Sequence, residues 1–94
     1  MRPVVLDRDV HLELPTAYDR LLKQGSRWIP VGNIPQGAVF RPDGHVLTIE
    51  GAHVHEAYIV ISTERLVGFY LPVEKAFSPL PNAPYISFTK QEGP

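Results

Sequence analysis

The chain has no cysteine. Disulfide frameworks, thiolate zinc sites and cysteine nucleophiles are therefore excluded, and stability must come from a packed core, as suits a reducing compartment. An excess of either charge is also missing: nine Lys and Arg stand against ten Asp and Glu, a formal net charge of -1. Such a total contains neither a basic field for a phosphate backbone nor an acidic surface imitating one. No uncharged run approaches the ~18 residues of a membrane-spanning helix. Near the N-terminus, Asp7, Arg8 and Asp9 stand where a signal peptide needs its apolar stretch. The expected setting is the bacterial cytoplasm, away from membranes. What is present is 94 residues, 44% hydrophobic and 20% charged. That is the composition of a single compact domain over residues 1–94, since half that length would not bury a self-sufficient core.

Ten prolines and seven glycines are spread along the chain. They interrupt long helices and favour short strands joined by turns. Residues 4–6, and then Val10, Leu12 and Leu14 alternating with His11 and Glu13, have the period of two of a half-buried strand. Thr16 and Asp19 have capping-box spacing, Tyr18, Leu21 and Leu22 share a helical face, Asp19 and Lys23 are four apart, and Gly25 is a left-handed stop. Together these predict one short helix over residues 17–24. Pro30 cannot donate to a ladder, so Arg27-Trp28-Ile29-Pro30-Val31 reads as an edge strand or extended segment. Ile34-Pro35-Gln36-Gly37 and Arg41-Pro42-Asp43-Gly44 are turns by chemistry. Residues 38–40, 45–50, 55–62 and 66–71 are rich in β-branched and aromatic side chains and predict an antiparallel meander. Residues 73–77 predict one more helical turn, 78–84 an extended loop, 85–89 a last edge strand and 91–94 a frayed tail. The expected fold class is α+β: a small antiparallel sheet of about four to six short strands, curved or partly closed into a barrel, with the N-terminal helix against one face.

Glu50-Gly51-Ala52-His53-Val54-His55-Glu56 is the one cluster resembling a chemical site. In a strand, His53 and His55 lie on one face about 7 Å apart, a spacing at which two imidazoles can share a metal ion. An even-numbered turn puts Glu50 on their face, whereas a three-residue turn removes Glu50 and brings in His45. The simpler reading is a solvated polar hairpin tip. The stretch from His53 to Leu71 resembles the first motif of the cupins, in which a His-x-His opens a strand and a glutamate follows. That resemblance implies a small barrel holding a divalent metal on His53 and His55. The chain departs from the pattern, because Glu56 follows His55 at once, no second histidine motif lies downstream, and Pro42-Asp43-Gly44-His45 echoes the second motif but precedes the first.

Other chemistries have less support. None of Ser26, Ser62, Ser78 and Ser87 sits in a nucleophile elbow, and residues 32–37 lack the lysine of a phosphate loop. Tyr58, Phe69 and Tyr70 would suit a single-stranded nucleic-acid platform, but little positive charge surrounds them. Two features suit protein binding: Arg27 beside Trp28, a pair enriched at interface centres, and Pro81-Asn82-Ala83-Pro84, a proline-bracketed segment that an aromatic groove can accept. The leading expectation is a small non-enzymatic adaptor that contacts another protein through Arg27, Trp28, Pro81 and Pro84 and needs no cofactor. An edge strand at 85–89 offers a homodimer contact. A metal-binding domain using His53, His55 and Glu50 comes second, and a nucleic-acid-binding barrel third.

Overall fold

The computed structural model of the chain describes residues 3–12, 20–50 and 53–90. They form eleven strands: β1 (Val4–Leu6), β2 (Val10–Leu12), β3 (Arg20–Leu22), β4 (Arg27–Ile34), β5 (Gly37–Asp43), β6 (Thr48–Glu50), β7 (Val54–Glu56), β8 (Tyr58–Ser62), β9 (Arg65–Leu71), β10 (Ala76–Pro79) and β11 (Phe88–Lys90). Seven make one antiparallel sheet in the order β10-β9-β8-β5-β4-β1-β11, and β2–β3 and β6–β7 are separate two-stranded hairpins.

The α+β expectation is overturned: no helix occurs among the described residues, and Arg20–Leu22, inside the predicted helix 17–24, is a strand paired with Val10–Leu12. Tertiary burial explains the change. Leu22 enters the core directly across from Val10 while Leu21 stays exposed, and that period-two demand outweighs a weak local helix preference. The expected capping segment and the Asp19–Lys23 pair involve residues outside those described. Gly25 does turn the chain with a φ of 88°, but between strands rather than at a helix end.

Two further expectations are corrected. β4 is an interior strand despite Pro30: β1 covers only Arg27 and Trp28, and a bulge between Pro30 and Gly32 absorbs the missing donor. The meander is interrupted, because β5 pairs with β8 and the β6–β7 hairpin is inserted between them. Residues 72–75 form a turn that leads into β10, in place of the expected helical turn.

Both ends of the large sheet are tied by one segment, residues 76–90. β10 lies along β9, β11 lies along β1, and between them the Leu66 N–H donates to the Pro84 carbonyl (2.9 Å), the Ile86 N–H to the Glu64 carbonyl (3.0 Å) and the Asp7 N–H to the Ser87 carbonyl (3.2 Å). Backbone bonding therefore continues from the start of β9 through residues 84–87 to the end of β1 and closes a ring, while β10 and β11 each pair with one strand only among the described residues. The ring encloses Leu6, Trp28, Ile59, Leu66, Phe69, Leu80 and Ile86, with Val10, Leu12 and Leu22 of the β2–β3 hairpin added to the same cluster. β8 reads Tyr-Ile-Val-Ile without alternation, and both Ile59 and Val60 are fully buried, as such a run requires when both strand faces are covered.

Candidate functional site

Trp28 lies at the base of an open, largely apolar region. Its side chain is 0% exposed, and its indole N–H donates to the Ser26 hydroxyl at 3.0 Å. That hydroxyl in turn donates to the Lys23 carbonyl at 2.7 Å, so the buried nitrogen is satisfied and the turn before β4 is fixed. The His45 ring meets Trp28 edge-on at 5.0 Å between centroids, and its Nδ1 lies 3.2 Å from the Asp43 carbonyl oxygen. Around this pair a cleft of about 500 Å³ opens between the β2–β3 hairpin and residues 45–48, with Leu21, Lys23, Val46 and Leu47 in its walls. Leu21 is 49% exposed and Val46 72% exposed. A chain this short needs most of its apolar side chains inside, so two aliphatic residues in water beside one cleft require explanation.

The residues expected to bind a partner separate in the structure. Trp28 lies in the core, so it acts as the floor of the cleft and presents no indole outside it. Arg27 stays at the surface and pairs across the sheet with Asp43, Nε to Oδ2 at 3.3 Å. Pro81 is exposed, but residues 80–83 turn back, with the Ala83 N–H donating to the Leu80 carbonyl at 3.3 Å, and the Pro84 carbonyl is spent on β9. The segment is thus a closed turn instead of an extended proline ligand. Residues 84–90 form backbone bonds within the chain to β1 and to the start of β9.

The histidine cluster resolves through strand register. Glu50 pairs with Val54 and Ile49 with His55, leaving a three-residue connection, and Glu50 stands across from neither histidine. The side chain of Glu50 lies outside the described residues. His45, the alternative third member, is beside Trp28. His53 and His55 do approach each other, at 6.5 Å between ring centroids, and the carboxylate that reaches His55 is Glu74: its Oε2 lies 2.9 Å from His55 Nδ1. Glu74 comes from the turn between β9 and β10, 19 residues from His55, and nothing in the local sequence signals that meeting. No group of three or more His, Cys, Asp or Glu side chains poised around one metal position occurs among the described residues.

For nucleic acid, the expected aromatic platform is divided: Phe69 is buried, while Tyr58 and Tyr70 stay half-buried as a tilted pair at 6.5 Å. Among the described residues no helix is long and apolar enough to cross a membrane. Compared with known proteins, the chain matches no family model, no curated protein and no solved structure.

Proposed function

We propose that this chain is a non-enzymatic protein-binding module that seats an apolar side chain of a partner protein in the cleft over Trp28. The observation that carries the reading is the exposure of Leu21 and Val46 at the rim of a cleft whose floor is a rigidly held indole. An aliphatic or aromatic anchor entering there would cover both rim residues above the buried Trp28, while Lys23, Thr48 and His45 supply polar groups to orient the flanking main chain. The floor is preorganised by the Ser26 hydroxyl, which lowers the ordering cost of binding. Arg27 lies outside the cleft lining and contributes at most a surface charge.

The test is selection of a random peptide library against the immobilised chain, followed by affinity measurement on Leu21→Asp and Val46→Asp. The expected result is a set of peptides sharing one apolar anchor, each weakened at least about tenfold by either substitution, in line with loss of a buried apolar contact. The chain's single tryptophan would report occupancy directly through its emission. Peptides that bind both variants as well as the parent, or that leave Trp28 emission unchanged, would overturn the reading.

A further inference from the structure

A second site, sharing no residue with the cleft, lies where the β6–β7 hairpin meets the β9–β10 turn. Each part of its geometry has a chemical consequence. The carboxylate of Glu74 sits 2.9 Å from Nδ1 of His55, so the proton of a neutral imidazole belongs on Nδ1 and the lone pair on Nε2. This is the arrangement in which a carboxylate fixes the tautomer and orientation of a metal-ligating histidine. His53 is exposed, and its ring lies 6.5 Å from that of His55, centroid to centroid, at an interplanar angle of 78°. Two imidazoles bound to one ion through bonds of about 2.1 Å place their centroids roughly 4.5–5.5 Å apart at the octahedral or tetrahedral angles these ions take. The observed separation is about 1 Å wider, and rotation of His53, which is open to solvent, closes the difference.

We propose that His53 and His55 form a two-histidine site for a borderline divalent transition ion such as Zn²⁺, Ni²⁺ or Cu²⁺. Glu74 holds His55 in the ligating tautomer, and water fills the remaining positions. Imidazole nitrogen suits these ions, while Mg²⁺ and Ca²⁺ take oxygen ligands. With only two protein ligands the site is an exchangeable one on the surface, not a structural centre closed by four side chains. Because the two strands of the hairpin are joined at its base by the Ala57 N–H to the Leu47 carbonyl (2.9 Å), an ion here would stiffen the hairpin and fasten it to the turn that carries Glu74.

The experiment is titration of the full chain, free of any histidine tag, with Zn²⁺, followed by calorimetry and by the ring-proton resonances of the four histidines. The expected result is one ion per chain, with shifts at the His53 and His55 rings, no competition from Mg²⁺, and loss of binding in His53→Ala combined with His55→Ala. Glu74→Gln keeps both imidazoles and is expected to weaken binding by about tenfold or more, the usual effect of removing such a carboxylate. No binding at millimolar Zn²⁺, shifts confined to His11 and His45, or binding that survives the double substitution would overturn the site. A Glu74→Gln variant that binds as tightly as the parent would overturn the positioning role of Glu74. His53 is exposed, so His53→Ala alone keeps the fold and separates loss of ligation from loss of structure.

Discussion

Two hairpins stand outside the seven-stranded sheet, β2–β3 and β6–β7, each built from strands of three residues. They are alike in size and unlike in burial. β2–β3 sends Val10, Leu12 and Leu22 into the core at 3%, 0% and 4% exposure. β6–β7 sends in none of its described side chains fully: Val54 and Glu56 are exposed, and Ile49 and His55 are half-buried. Its attachments are the buried pair Leu47 and Ala57 at its base, the half-buried Ile49 packed against the core and the His55–Glu74 contact on its face. The first hairpin is therefore part of the folding unit and forms one wall of the cleft, while the second is an outlying element free to carry polar chemistry. Apolar burial drives folding in proportion to area, so the two elements should differ sharply in what their removal costs.

The largest effect is expected at the residue against which the first hairpin packs. Trp28→Ala empties the largest fully buried side chain of the shared core and should cost about 3–5 kcal/mol. That is a substantial share of the stability of a domain this small, and chemical denaturation would read it as a lower midpoint. Leu12→Ala and Leu22→Ala should follow at about 2–5 kcal/mol each, because both lie in the same cluster. A cost below about 1 kcal/mol at Leu12 would break the comparison, since the hairpin would then be an appendage like its counterpart. A change of opposite sign is available in the ring itself. The two-residue connection between β8 and β9 uses Thr63 and Glu64 at φ of 51° and 61°, a conformation that Asn-Gly accepts with far less strain. Thr63→Asn with Glu64→Gly should stabilise the chain by about 1 kcal/mol.

How far all this could be read in advance follows the same division between local and tertiary causes. The alternation at Val10, His11 and Leu12 and the turn at Pro35 and Gln36 each have a local origin, and each is found in the structure as read, whereas the single strand expected over 55–62 is divided into β7 and β8, which belong to different sheets. The strand at Arg20–Leu22 has no such local origin: its helical spacing is real, but pairing with β2 and burial of Leu22 decide its conformation. Pro30 marks an edge only while no bulge relieves it, and here the register shifts between Pro30 and Gly32. The site shows the same limit. The two histidines are two apart in the sequence, but His53 lies in the connection and outside β7, so strand period alone does not bring the rings together; Glu74 arrives through the β9–β10 turn and Glu50 is removed by a one-residue difference in connection length. A slip of one residue moves every side chain of a strand to its other face, and composition around a short connection does not specify its length.

The smallest expected effect sharpens the comparison most. Val54 is 66% exposed on the outlying hairpin, and it pairs with Glu50 at the end of a short ladder. Its side chain leaves little water behind on folding, so Val54→Asp should change stability by less than about 0.5 kcal/mol, as surface substitutions away from caps and buried pairs usually do. Hydrogen exchange on the same variant gives the finer reading. Amides of β2–β3 should exchange at rates set by global unfolding, because opening that hairpin exposes Leu12 and Leu22. Those of β6–β7 should exchange through a local opening of lower free energy, and Val54→Asp should speed the second set without touching the first. Equal protection in the two hairpins would mean that the half-buried Ile49, which packs against the core, contributes as much there as Leu12 does in β2.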